Sequence, residues 1–489
     1  MIKRPIQTII SVALCAGSLL RADSAAVQVA PAGAATPPNI ILILADDLGY
    51  GDCSVYHPAS KINTPHIDQL AAEGLRFTDA HAAASTCTPS RYGLLTGTNP
   101  VRTGVLNTLL SRGDPIIAED EKTLATLLRD QGYVTRMIGK WHLGFETERV
   151  GKKPAPNLHQ PLIGGPLDRG FDSFYGLESS ASSSPIYLIR DRRAVSLPTE
   201  KGTIGLYKED RSISHKKVML PAGLRVEAIS PMLCQEALEV IRAQAASQDA
   251  KPLFLYYALP APHQPWVPSA AFKGKSGLGD YADFVMQLDD VVGQINQALK
   301  DTGLDQNTLL IFTSDNGTGP PAVEVMAHAG HASSAMLRGA KADCWEGGHR
   351  VPFIAKWPGR IAANQHTQAL VNFTDLFATL AELFKVDMHA DYPSSGRDSH
   401  SFLSTLLQHA PPSKRPGMMF SRSGVRHGDW KLVSKARVSK TETLQLEQFD
   451  LYNLAQDIAE RNDLSQSNPE RANELFQAFQ AYLQRRELK

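Results

Sequence analysis

A chain of 489 residues with 43% hydrophobic and 20% charged content can bury one large core and a smaller second one, which excludes a disordered chain. Fifty Lys and Arg against fifty Asp and Glu give a formal charge of zero. That balance argues against a basic nucleic-acid surface and a polybasic membrane tract, so any anion site has to be local.

Lys3 and Arg4, the apolar run from Ile6 to Leu20 and the small residues Ser24-Ala25-Ala26 have the three parts of a secretory signal peptide, residues 1–26. Residues 27–38 read as a flexible Ala- and Pro-rich leader. The expectation is a secreted or periplasmic protein with no stable membrane association. Apart from Cys15 in the leader and Cys87, the cysteines are Cys53, Cys234 and Cys344. That odd number makes no disulfide framework and allows one bridge at most, and no Cys or His spacing matches a zinc site.

Asn39-Ile40-Ile41-Leu42-Ile43-Leu44-Ala45 is an unbroken apolar run of strand length, as expected for a parallel strand covered on both faces. It ends in Asp46-Asp47. An isolated acidic pair is usually a solvated turn, but at the carboxyl end of a buried strand two carboxylates lie where open α/β sheets bind ligands, and their repulsion calls for a cation. Thr64 and Pro65 open a scaffold helix that stops at Gly74.

Cys87-Thr88-Pro89-Ser90-Arg91 follows. Pro89 suits a first helical turn, so Cys87 is expected just before a helix, facing its free N–H groups, with Arg91 four residues on as a cation beside the sulfur. A thiol so placed is expected to be acidic and reactive; a lone cysteine is otherwise most often a buried small hydrophobe.

A helix from Thr123 to Gly132 leads into the strand Tyr133–Ile138, which ends in Gly139-Lys140-Trp141-His142-Leu143-Gly144. In an extended segment Lys140 and His142 point the same way, placing a cation and a proton carrier on one wall. Residues 150–224, rich in Gly, Pro and Ser, read as long excursions over the site, with Arg190, Arg192 and Arg193 on a solvated face. The strand Leu253–Ala258 runs into a proline-fixed His263, and an amphipathic helix spans Tyr281–Leu299.

Thr308–Ser314 is the last strong strand and ends in Asp315-Asn316-Gly317. The donors Asp46, Asp47, Asp315 and Asn316 offer only oxygen, so they suit a hard ion, Ca²⁺ or Mg²⁺. His328 and His331 lie in a loop that could rim a leaving-group site, although loop histidines are usually solvated. Composition changes after the helix Thr374–Phe384, and the Pro-, Ser- and Gly-rich stretch from Asp391 sets the expected boundary between residues 39–390 and a small α+β unit, 391–489.

The C-x-P-x-R run at Cys87 with Leu94-Leu95-Thr96-Gly97, the G-K-W-H-L-G run and Trp345-Glu346-Gly347-Gly348-His349-Arg350 resemble the signatures of the type I sulfatases. The resemblance extends over most of the chain from Asn39 onward. It implies an alkaline-phosphatase-like α/β fold, a large and mostly parallel sheet flanked by helices. It implies hydrolysis of sulfate monoesters, calcium as cofactor, and a formylglycine-generating enzyme that oxidises Cys87 to Cα-formylglycine.

In that family's pattern Cys87 also joins Asp46, Asp47, Asp315 and Asn316 at the metal. Arg91, Lys140, His142, His263 and Lys341 fall at catalytic positions: the resemblance implies that His263, alone or with Lys341, donates a proton to the leaving oxygen and His142 takes one when sulfate is expelled, or that the two histidines exchange these roles. A sulfated small molecule or carbohydrate is the expected substrate. The rival readings are a phosphonate or phosphate ester hydrolase of the same superfamily, a non-catalytic binder of sulfated glycans, and a cysteine hydrolase.

Overall fold

The computed structural model describes residues 1, 36–105, 113–150, 153–249, 251–408, 415, 417–420, 423–436 and 444–484. The expected signal peptide, past Met1, and most of the leader lie outside them. Residues Pro38–Lys489 form one compact unit.

The unit is built on a ten-stranded sheet. At its centre lie, side by side and parallel, the strands Thr308–Ser314, Asn39–Asp46, Leu253–Pro262, Val134–Lys140 and Ser173–Leu177. The unbroken apolar runs follow from burial on both faces. Ile40, Leu42 and Leu44 enter the core on one side, and Ile41, Ile43 and Ala45 enter the core on the other. The helices Cys87–Thr96, Leu124–Asp130 and Asp375–Leu383 cover the first face; Pro65–Ala72, Ile229–Ala246 and Asp280–Asp301 cover the second. Because the central strands are parallel and in register, their carboxyl ends open at one edge, and the polar residues that follow each strand meet there.

Two local expectations change. Residues 150–224 are not all excursion: Ser173–Leu177 joins the main sheet beside Val134–Lys140, and Glu200–Tyr207 pairs with Ile213–Leu220 in an antiparallel hairpin. Five residues with a glycine among them carry too short a pattern to read as a buried strand. Thr64 does not cap its helix through its side chain; its Oγ1 accepts from the Ser54 backbone N–H instead, at 3.0 Å. The described cysteines are all free and buried, so Cys53, Cys234 and Cys344 form no bridge. No helix among the described residues is long and apolar enough to cross a membrane.

Near the C-terminus a four-stranded antiparallel sheet runs Met418–Met419, Gly424–His427, Trp430–Ser434, Phe449–Asn453. The helix Pro469–Gln484 covers it through Leu475, Phe476 and Phe479, packed with Val425, Leu432 and Leu451. Lys431 from this sheet is wholly buried, 2.9 Å from Glu346 Oε1 and 2.8 Å from Glu460 Oε1.

Lys431 also fills the space beside a cluster of His81, Glu346 and His349 that could otherwise be read as metal ligands: its Nζ lies 3.2 Å from His349 Nε2, and Arg426 lies 3.1 Å from His81 Nε2. Cations in those places make the cluster a charge network. Lys431→Met leaves two buried carboxylates without their shared cation and is expected to cost about 3–5 kcal/mol, read from the urea unfolding midpoint.

Candidate active site

The site forms where four strand ends meet the start of one helix. The helix Cys87–Thr96 begins at Cys87 itself, with Thr86 as its N-cap, so the cysteine is the first helical residue. Its sulfur stands where an oxygen would be carried were the residue oxidised to formylglycine. The Sγ accepts from Lys341 Nζ at 3.1 Å and lies 3.4 Å from Asp46 Oδ1 and 3.7 Å from Asp47 Oδ1. The cation touching sulfur is therefore Lys341. Arg91 points past the sulfur, donating from Nε to Asp315 Oδ2 at 2.9 Å and from Nη1 to the Lys140 carbonyl at 2.8 Å.

Lys140 Nζ donates to Asp46 Oδ2 at 2.6 Å, and Lys341 Nζ to both oxygens of Asp47 at 2.6 and 2.8 Å. Asn316 Nδ2 donates to Asp47 Oδ1 at 2.7 Å, and the Asp47 N–H to Asp315 Oδ1 at 3.2 Å. Asp47 holds a left-handed backbone, φ 67°, which turns the chain back so that consecutive carboxylates face one point. Gly139 has φ 105°, and a Cβ there would lie 1.8 Å from the Ala258 carbonyl oxygen; only glycine lets the strand carrying Lys140 approach this closely.

Electrostatics decide the state of these groups. Burial would raise Asp46, but Lys140, His263, Arg91 and Lys341 together hold it well below the usual carboxylate range. Burial likewise opposes ionisation of Asp47, and Lys341 and His263 outweigh it. Asp315 is the exception: burial and the charge of Asp46 push it up to about 6 in spite of Arg91. Burial, then the nearby Asp315, drives the Cys87 thiol up. The unmodified cysteine is thus a protonated thiol, not the acidic one that its place at a helix start suggests; desolvation, Asp315 and Asp46 outweigh the helix end and the two lysines Lys140 and Lys341.

His263 follows the strand Leu253–Pro262. Its Nε2 lies 3.7 Å from Asp47 Oδ2, and its Nδ1 lies 2.6 Å from the Gln264 carbonyl oxygen and 2.9 Å from Ser180 Oγ. A carbonyl only accepts, so Nδ1 carries the hydrogen and Nε2 faces the acids. Burial lowers the His263 pKa, with Asp47 and Asp46 pulling the other way. His142 is buried with φ 58°, so it does not continue an extended segment with Lys140; its carbonyl accepts from Thr88 Oγ1 of the helix that starts at Cys87, at 3.2 Å.

Ser180 escaped the sequence reading, because its Ser-rich surroundings look like a surface loop and only the tertiary structure brings it to His263. His331 lies outside the site, buried against Asp52 at 2.9 Å, and His328 is exposed on the surface. Arg190 and Arg192 make exposed ion pairs with Glu236 and Asp168.

Asp46, Asp47, Cys87 and His263 each offer a ligand atom within 4.8 Å of the others. Two observations fit a divalent cation here. Asn316 Oδ1 is buried with no hydrogen-bond partner, an acceptor that only a cation or a donor would satisfy. Asp315, raised first by burial and then by Asp46, sits above the usual carboxylate range although it touches Arg91, so a further cation beside it would favour its ionised form. Oxygen donors of this kind suit calcium or magnesium over zinc. A cavity of about 170 Å³ opens over the site, lined by Asp47, His263, Trp266, Pro320 and Lys341 among others.

A family model described as Sulfatase matches residues 38–386. The chain is 32% identical to an N-acetylgalactosamine-6-O-sulfatase of Bacteroides thetaiotaomicron, over 91% of this chain and 93% of that one. It is 38% identical to human arylsulfatase A, over 82% and 73%. Among solved structures, one from work on glycosaminoglycan metabolism by Bacteroides thetaiotaomicron superposes with a TM-score of 0.79 at 30% identity, over 92% of this chain and all of that one. The buried cysteine in its cradle of acids and lysines, the mostly parallel sheet and these likenesses lead to one conclusion: the chain belongs to the sulfatase family and is a sulfuric ester hydrolase.

Proposed function

We propose that the enzyme removes sulfate from a sulfated sugar, with 6-O-sulfated N-acetylgalactosamine as the first candidate, and that Cys87 acts as formylglycine. The observation that carries the reading is the convergence of Lys341, Asp46 and Asp47 on one buried Sγ, with Arg91, Lys140 and His263 close behind. The names of the relatives support the sugar, and the export expected from residues 1–26 supports a glycan met outside the cytoplasm. Residues 391–489 would form the smaller of two units, bracing the loop that carries Lys341.

Formylglycine supplies, as its hydrate, an oxygen that attacks sulfur and a second hydroxyl whose loss of a proton expels sulfate. Asp46, Asp47, Asp315 and Asn316 would hold a calcium ion, which would supply positive charge to the site. The chain's own groups do the rest. Lys341 and Lys140 offset charge on the terminal sulfate oxygens, and Arg91 locks Asp315 in place. His263 as imidazolium, with Nδ1–H on the Gln264 carbonyl and Nε2–H facing the cavity, protonates the departing alcohol oxygen and is left neutral, and His142 accepts the proton released as sulfate leaves.

The test is a mass spectrum of the Cys87 peptide with a substrate comparison. Conversion is expected to remove roughly 18 Da, by replacing CH₂SH with CHO. The converted protein is expected to release sulfate from 6-O-sulfated N-acetylgalactosamine at least ~100-fold faster than phosphate from the matching phosphate ester, a margin of about 2.7 kcal/mol. A converted enzyme that prefers the phosphate ester would sink this reading.

A further inference from the structure

The hairpin Glu200–Leu220 lies outside the main sheet, yet it grips both segments that fix His263. The first segment is Gln264. Its carbonyl oxygen receives His263 Nδ1–H at 2.6 Å, while its side-chain amide pairs twice with one hairpin residue: Oε1 accepts from the Tyr207 N–H at 2.5 Å, and Nε2 donates to the Tyr207 carbonyl at 3.2 Å. The Tyr207 ring packs at a 30° tilt against Trp266 two residues further on, with centroids 4.5 Å apart.

The second segment is the serine loop. Ser180 Oγ meets His263 Nδ1 at 2.9 Å and accepts from the Ser182 N–H at 3.3 Å; Lys216 of the hairpin donates to the Ser182 carbonyl at 2.7 Å, and the Met219 N–H donates to Ser184 Oγ at 3.0 Å. Both groups that hold Nδ1 are therefore anchored to the same two strands. Side-chain pairing with a backbone N–H and C=O at once mimics a strand ladder and leaves the Gln264 backbone little freedom.

We propose that this hairpin is the positioning element for the imidazole that protonates the leaving alcohol, acting through Gln264 and, more weakly, through Lys216. Neither residue touches the reacting atoms in this account; each keeps Nε2 aimed at the cavity by holding Nδ1. The inference rests on the assignment of His263 as the proton donor, and its consequence is specific. A proton donor matters most when the departing oxygen is a poor leaving group, so a misplaced imidazole should harm sugar sulfates more than activated aryl sulfates.

The experiment measures kcat and KM of the converted, calcium-loaded enzyme for a series of aryl sulfates from 4-nitrophenyl to phenyl and for 6-O-sulfated N-acetylgalactosamine. The proteins compared are wild type, Gln264→Ala, Lys216→Met and His263→Ala. Gln264→Ala is expected to lower kcat on the sugar sulfate by about 10–100-fold and on 4-nitrophenyl sulfate at least ~10-fold less, with KM little changed. Lys216→Met, which alters only an exposed contact and secures the test should Gln264→Ala fold poorly, is expected to show the same slope at a few-fold size.

A slope in His263→Ala with equal losses, or none, across the series for both hairpin-contact variants overturns the positioning role and leaves the function intact. Equal losses across the series in His263→Ala itself overturn the proton-donor assignment, and the positioning role falls with it.

Discussion

Cys87→Ala is expected to abolish sulfate release while leaving the fold unchanged, a loss of about 10⁵–10⁶ in kcat, comparable to deleting the nucleophile of other covalent enzymes. One small group leaves a pocket already crowded by Lys341, Asp46 and Asp47, so the expected stability change is about 1 kcal/mol, read from urea unfolding. Unconverted wild type is the more informative control. Its thiol is driven up by burial and by Asp315, so at neutral pH it is protonated and poorly nucleophilic. Protein made without conversion should be as inactive as Cys87→Ala and should resist iodoacetamide at neutral pH while folded. Rapid alkylation together with turnover by the unconverted protein would point to a cysteine hydrolase instead.

Cys87→Ser sharpens the same expectation. Serine places an oxygen close to where the sulfur now lies, but it lacks the second hydroxyl through which the proposed formylglycine hydrate would expel sulfate. The expected outcome is at most one turnover per chain and a sulfated residue 87, visible by mass spectrometry.

Much of the candidate site was legible in the sequence because the residues proposed for the chemistry sit at strand ends. Unbroken apolar runs at Asn39–Ala45, Leu253–Ala258 and Thr308–Ser314 marked the central strands, and the polar residues after each one meet at the site. Parallel strands in register guarantee such a meeting, so finding the strands was nearly the same as finding the site. What stayed hidden depends on long-range burial. The thiol's protonation follows first from burial and then from Asp315 and Asp46, which come from two distant segments, and no local pattern encodes that sum. Ser180 reaches His263 only because a hairpin 20 or more residues downstream holds its loop, and nothing in a serine-rich stretch distinguishes such a contact from a solvated turn. His142 was expected to extend alongside Lys140, but the chain turns left-handed there.

Stripping divalent ions is the second large effect expected. Dialysis against a chelator should lower kcat/KM by at least ~10³, since the proposed ion would supply several kcal/mol of transition-state stabilisation. Activity should return with calcium and not with zinc, because the donors are carboxylate and amide oxygens. The fold should survive. Asp46, Asp47 and Asp315 already face Lys140, Lys341 and Arg91, so the ion-free site is close to neutral, unlike a small domain that folds only around its metal.

Calcium at about 100 times its dissociation constant would then add about 2.7 kcal/mol, seen as a calcium-dependent rise in Tm. Asn316→Ala isolates the ion from the charges. It removes the buried Oδ1 that has no hydrogen-bond partner, together with the Nδ2 donor to Asp47 Oδ1, and leaves the three carboxylates and the three cations in place. Its calcium affinity is expected to fall about 10–100-fold, with most of the lost activity restored by excess calcium. Unchanged calcium affinity in Asn316→Ala, measured by titration calorimetry, would remove Asn316 from the ligand set, and a chelated enzyme that kept full activity would remove the ion from the reaction.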